Sequence, residues 1–459
     1  MADPEMSVSP YWELTFDADG DTDGHRRDRL LAEVNPLEVR DLVVFAHGWN
    51  NDRSIATRLY SRFFAPIPTL APATARIGYV GVVWPSMRFS DEPIPDFQRS
   101  MTATATSTAP ATTGRPGLDK NTRQALVETF PERATVVEQI AHLLEQQPDS
   151  ERALEEYGGL VRLLVEVPPD APQSGFAADL VLAQEGEAEG VPEMFAGSTA
   201  AVCEEFARAL AGHGSSESPG AVAEFALPNP WKGAQELLRQ ATYYAMKRRA
   251  GTVGERGLGP VLGRLAQAAP GVRVHLVGHS FGARLVSFAL RGLPKDVRTV
   301  KSVTLLQGAF SHYAFADSLP HDTGAGGALR GRQSRIDGPL VCCYSRHDGA
   351  LSTFYPLASR MAGESQGMLD ADRSFAGFSV AKALGPKWGA MGHDGVQAVP
   401  GTVKLTLAEA LKPAKLPVSG CVNVDAAEVV KNGGTPTGAH SDICHAELAR
   451  VVLAAGRVK

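Results

Sequence analysis

Short apolar runs recur along the chain, each closed by a turn signal and separated from the next by loops or stretches of helical spacing. Leu42–Phe45 (LVVF) ends at AHGWNND, and Ile77–Trp84 (IGYVGVVW) ends at Pro85. Val272–Val277, Val300–Leu306, Leu340–Tyr344 and Cys421–Val424 have the same form. Such runs predict strands buried on both faces. Trp231–Arg249 instead carries its apolar residues at Trp231, Ala234, Leu237, Leu238, Ala241 and Ala245, which is one face of a helix. Strands alternating with helices predict an α/β fold: a mainly parallel central sheet with helices on both faces.

One block departs from this rhythm. After Trp84 the chain reads PSMRFSDEPIPDF and then TATATSTAPATTG (Thr102–Gly114), a low-complexity loop or linker. Helical spacing follows for roughly a hundred residues. Val136, Val137, Ile140, Ala141, Leu143 and Leu144 mark one apolar face, and Phe195–Leu210 another, with Gly212 as its stop. Residues 90–226 are therefore expected to form a helical insertion, or cap, in a core made of 1–89 and 227–459. A cap of this kind should be removable with a change in substrate size preference while the chemistry survives. Its acidic surface also offers a site for a protein partner.

Composition narrows the class. The 459 residues are 44% hydrophobic and 21% charged, enough for a large core. A net charge of −6 gives no reason to expect nucleic acid or an anionic membrane as partner. The five cysteines, Cys203, Cys342, Cys343, Cys421 and Cys444, lack any CxxC spacing, which argues against a disulfide framework or a zinc site. The acidic N-terminus lacks the apolar segment of a signal peptide. No apolar run approaches the ~20 residues of a membrane span. A cytoplasmic protein is expected, with leaderless secretion as the alternative.

The chemistry is concentrated at one corner. Gly278-His279-Ser280-Phe281-Gly282 joins the run VRVHLV to the helical pattern FGARLVSFALRGL. A strand-to-helix corner of this kind exposes a serine hydroxyl at the carboxyl edge of a parallel sheet, where ligand sites form. Residues two before and two after the serine crowd the turn, so glycine is needed at both. Gly363-Glu364-Ser365-Gln366-Gly367 has the same spacing, but neither a buried strand before it nor a good helix after it, and reads as loop.

A serine hydroxyl needs a base, an orienting acid and donors for the oxyanion. In such sheets the order is serine, acid, histidine. Asp348, in LVCCYSRHDGAL, stands just past a later strand, with Asp317 in reserve. His393, His440 and His445 follow it. His440 is preferred because a Gly/Pro/Thr loop after the CVNV strand carries it to the sheet end. His445 is expected inside a first helical turn, and His393 on a loop without a clear strand before it. The Phe281 amide and the Trp49 amide are the expected oxyanion donors, with Gly48 allowing close approach and His47, Gly48 and His279 as candidate pocket residues.

With strand, serine corner, acid and histidine in this order, the chain resembles the α/β-hydrolase superfamily over roughly residues 10–90 and 226–450. Within it, YYAMKRRAGTVGERG, VHLVGHSFGAR, NVDAAEVV and GAHSDI are similar to a group of poorly characterised bacterial hydrolase-like proteins. The resemblance implies Ser280 as nucleophile, Asp348 as acid and His440 as base. It also implies an HG loop at His47–Trp49. The chain departs from the family pattern in its insertion and in the long stretch from Asp348 to His440. The expected activity is serine hydrolysis of a small-molecule or lipid-like acyl substrate, without metal or organic cofactor. Two alternatives keep the same residues: acyl transfer to an acceptor other than water, and a catalytically silent interaction module.

Three further features are given structural readings. DADGDTDG (Asp17–Gly24) fits the first half of a calcium loop, but Leu30 stands where a bidentate glutamate is required, so a turn between early β-strands is expected. Cys342–Cys343 in a strand and Cys444 in a helix are expected to act as small apolar residues. Met246-Lys247-Arg248-Arg249 is expected to be a solvated helix end. Arg284 flanks the serine, either in the pocket or in packing.

Overall fold

The computed structural model describes residues 6–89, 117–181, 193–195, 197–214, 229–351, 389–434 and 438–459. Eight strands among them form one sheet: β1 (Tyr11–Thr15), β2 (Asp41–Ala46), β3 (Ile77–Val83), β4 (Arg273–His279), β5 (Val300–Leu306), β6 (Pro339–Tyr344), β7 (Val403–Thr406) and β8 (Gly420–Asp425). Their spatial order is β1-β3-β2-β4-β5-β6-β8-β7, and every neighbouring pair is parallel. The protein is thus α/β, as the alternating pattern predicts.

Strand composition explains the layering. Successive side chains in a strand point to opposite faces. In β2, Leu42, Val44 and Ala46 join one apolar cluster, while Val43 and Phe45 join the other. A strand buried at all of its positions therefore requires cover on both sides. The ten principal helices supply it: α1 (Gly24–Glu33), α2 (Arg53–Phe64), α3 (Lys120–Thr129), α4 (Ala134–Gln146), α5 (Glu151–Val165), α6 (Thr199–Gly214), α7 (Pro230–Thr252), α8 (Gly259–Ala268), α9 (Phe281–Gly292) and α10 (Ala446–Gly456). Leu285 and Phe288 of α9 lie in the first cluster; Phe63 and Phe64 of α2 and Val451 and Val452 of α10 lie in the second. Burying one such side chain contributes about 1.5–3 kcal/mol. No described helix is long and apolar enough to cross a membrane.

Strand order also fixes where chemistry can occur. The chain leaves β2 for β3 on one side, then returns past β2 to β4 and continues to β5 on the other. The connections after β2 and β4 therefore run to opposite sides, a switch point of the kind at whose carboxyl edge parallel sheets bind ligands.

The described part of 90–226 is mainly helical, as its spacing predicts. Val137, Ile140, Ala141 and Leu144 are the buried face of α4. The helix expected at Phe195–Leu210 starts later, at Thr199, and passes Gly212 to end at Gly214. These helices share one apolar cluster with the sheet. Gly233 of α7 lies so close to the Cys203 carbonyl of α6 that a Cβ would overlap it. Leu180–Val181 pairs with Gly326–Gly327 as a small antiparallel ribbon. Asp179 is fully buried between Arg284 of α9, at 2.9 Å, and Lys247 of α7, at 2.8 Å. Burial alone would raise the Asp179 carboxyl, but the two cations bring it below the ordinary carboxylate range. Thr102–Gly114 and Ser365 lie outside the described residues.

Several local expectations change. Lys247, Arg248 and Arg249 are buried, not solvated, because α7 runs on to Thr252 and continues through a π-helical segment into α8. Arg249 donates to the carbonyls of Pro85 and Thr129, and burial lowers its guanidinium to about 10. The Asp17–Gly24 turn joins β1 to α1 rather than two strands. Asp17 accepts the amides of Asp19 and Asp21, and Asp23 caps α1. Cys444 lies in a loop, since α10 begins at Ala446, and His445 is its N-cap residue. Arg284 is packed: it donates to Asp179 and to the carbonyls of Lys247 and Phe176.

Candidate active site

The strand-to-helix corner after β4 forces Ser280 into φ 55°, ψ −120°, a region costly for a residue with a Cβ. Both flanking glycines are sterically required. A Cβ on Gly278 would lie 2.4 Å from the Gly282 carbonyl oxygen, and one on Gly282 would strike the Ala46 carbonyl. The corner is anchored by the Ser280 amide donating to Leu306 of β5 (3.1 Å) and by Ala309 donating to the Ser280 carbonyl (3.2 Å).

Three side chains from distant parts of the chain meet here. Ser280 Oγ lies 2.9 Å from His440 Nε2, and His440 Nδ1 lies 2.7 Å from Asp348 Oδ2. Asp348 is fully buried, and its other oxygen accepts the Leu351 amide at 3.0 Å. The acid and base loops are joined by an antiparallel bridge between Asp348 and Gly438, with the Ala439 amide donating to His347 at 2.9 Å. The alternative residues are engaged elsewhere. His393 pairs with Asp394 at 2.8 Å, His445 with Asp442 at 2.9 Å, and Asp317 is exposed.

No protein-family model, curated protein or solved structure matches the chain. The site is therefore read from its own geometry.

The turn after β2 packs directly onto the corner. A Cβ on Gly48 would lie 2.5 Å from Ser280 Cβ and 3.0 Å from the His279 carbonyl oxygen. The Gly48 carbonyl accepts from His47 Nδ1 at 2.9 Å and from Asn51 Nδ2 at 3.2 Å. In a trans peptide, C=O and N–H point in opposite directions. Fixing the Gly48 carbonyl therefore aims the Trp49 N–H the other way. Asn51 also holds the Trp49 carbonyl, at 2.8 Å. Sequence reasoning missed Asn51; its signal was an amide side chain at the head of α2, within reach of loop carbonyls.

Two histidines expected in the pocket are buried and bonded to neighbouring backbone. His47 is buried, stacked on Trp84, and its Nε2 accepts the Trp84 amide at 3.4 Å. Burial lowers its pKa to about 4, so it is neutral. His279 is also buried, and its Nε2–H donates to the His440 carbonyl at 2.8 Å. Burial, with the neighbouring His440 charge, lowers it to about 3.

The residues that follow Gly48 and Ser280 belong to an aromatic cluster. The Trp49 ring is 4.9 Å from Tyr243, 6.0 Å from Phe281 and 6.1 Å from Phe89, and Tyr243 is 4.6 Å from Phe281. Chemically, the arrangement offers a hydroxyl, an imidazole within proton-transfer distance of it, and a buried carboxylate behind that imidazole.

Proposed function

We propose that the protein is a serine hydrolase of the α/β-hydrolase class, acting on an acyl substrate of carboxylic-ester type. The observation that carries this reading is the continuous relay Ser280–His440–Asp348, at 2.9 and 2.7 Å, on a strained strand-to-helix corner. His440 accepts the Ser280 proton as Oγ bonds to the acyl carbon. Asp348 holds the imidazole tautomer and stabilises its charged form without taking the proton. The Phe281 and Trp49 amides receive the oxyanion, and one such donor is worth about 3–4 kcal/mol of barrier. His440 then protonates the leaving oxygen. Water, deprotonated by the same imidazole, releases the acid.

Helices of the 90–226 insertion, packed on α7, support a role in shaping the substrate entrance. Labelling by a fluorophosphonate probe tests the proposal. The native protein should react at Ser280, and Ser280→Ala should not. An unlabelled native protein, or labelling that persists in Ser280→Ala, would overturn it.

A further inference from the structure

Four aromatic rings, those of Trp49, Phe89, Tyr243 and Phe281, pack together, two of them belonging to residues next to Gly48 and Ser280 in sequence, and two of the four carry polar groups. Trp49 Nε1–H and the Tyr243 hydroxyl are both shielded from solvent, and neither has a hydrogen-bond partner among the described residues. The other indoles of the described residues are all paired. Trp12 donates to Glu33, Trp84 to the His47 carbonyl and Trp231 to the Pro148 carbonyl. Buried donors are almost always satisfied, so two unmet ones in a single aromatic cluster call for an acceptor supplied from outside the protein.

The location of the pair gives it meaning. Phe281 is the residue after Ser280, and Trp49 follows Gly48, which touches the Ser280 side chain. Tyr243 lies within electrostatic reach of both the Asp348 and Asp179 carboxylates, and its hydroxyl stays protonated because burial, then Asp179, raises it far above 10. The Asp348 carboxylate disfavours an anionic ligand group. The cations on that side, Lys247 and Arg284, are bound to Asp179.

We propose that Trp49 and Tyr243 form an acyl-side subsite that selects uncharged, apolar acyl groups carrying a second acceptor oxygen, carbonyl or ether, besides the scissile carbonyl. This deepens the serine-hydrolase reading and rests on it. The aromatic walls take the apolar body, and the two donors fix its second oxygen.

The test compares matched 4-nitrophenyl esters, plain medium-chain acyl against oxo- and ether-substituted acyl, with the full-length protein. The native enzyme should favour an oxygen-bearing ester over the plain one. Tyr243→Phe should reduce that preference, as a ratio of kcat/KM values, about tenfold. Trp49→Phe keeps a ring and the backbone amide while deleting the indole donor, and should act in the same direction. It also carries the test if Tyr243→Phe does not fold. A native preference for the plain ester, or ratios unchanged in the folded variants, would overturn the subsite alone. Failure of the native protein to react with a fluorophosphonate would overturn the hydrolase reading and the subsite with it.

Discussion

His279 Nε2–H donates to the backbone carbonyl of His440 across 2.8 Å, tying the residue before Ser280 to the loop that carries His440. On the proposed mechanism, this brace spans the gap over which the proton moves. Displacing a catalytic group by about 1 Å can cost 100-fold in rate. His279→Ala should therefore lower kcat by 10- to 100-fold with little change in KM. His279→Gln, whose amide can donate to the same carbonyl, should recover part of the loss. Equal losses in both variants, or a change confined to KM, would rule the brace out.

Asp348 is buried behind His440, 2.7 Å from its Nδ1, and on the proposed mechanism acts through charge and orientation. Asp348→Asn keeps the shape but favours the wrong imidazole tautomer. On the proposed mechanism kcat should fall by about 10⁴. Steady-state kinetics, with circular dichroism to verify folding, would test this.

Buried neutral histidines make stability depend on pH in a definite direction. His47 and His279 have folded values of about 4 and about 3, below the unfolded value of 6.5. Above 6.5 they add no penalty. As pH falls below 6.5, the unfolded chain binds protons that the folded protein refuses, and stability is lost until the folded values are reached. At 1.36 kcal/mol per unit of pH, each should cost about 2 kcal/mol between pH 7.5 and 5. His393, raised by its bond to Asp394, acts in the opposite sense, adding stability below 6.5 that is lost as pH rises through its folded value. Urea unfolding should show the net loss, and folded His279→Gln should remove about 2 kcal/mol of the pH dependence. An unchanged dependence in that variant would contradict the assignment.

Asp179 bridges two cations that belong to α7 and α9. Removing one partner of a buried ion pair costs about 3–5 kcal/mol. Asp179→Ala should lower stability by that amount in chemical denaturation. Deleting residues 90–226 removes the same carboxylate and uncovers the apolar surface of α7. The expected product is an unfolded chain rather than an uncapped enzyme, as circular dichroism would reveal. A folded, labelled deletion product would restore the removable cap expected from sequence.

Sequence legibility followed the range of the forces involved. The strands of the sheet interior were readable because burial on both faces demands unbroken apolar runs. β7 was not, because Val403–Thr406 is an edge strand with Lys404 exposed and no run to detect. The serine corner was readable because its glycines answer to local crowding. Lys247–Arg249 misled because the partners of that basic run, Asp179 and the carbonyls of Pro85 and Thr129, lie far away in sequence. His47 and His279 were assigned to the right neighbourhood. Their service as braces depends on which carbonyl each ring meets, and sequence spacing does not encode that.

The bridge between Asp348 and Gly438 has an evolutionary corollary. Carboxylate and imidazole are held in register by a local backbone contact, so the ninety-odd intervening residues need not act as a ruler. Strands β7 and β8 within that stretch are held by the sheet, so changes of length that spare them would leave the proton path of the proposed mechanism with the same dimensions.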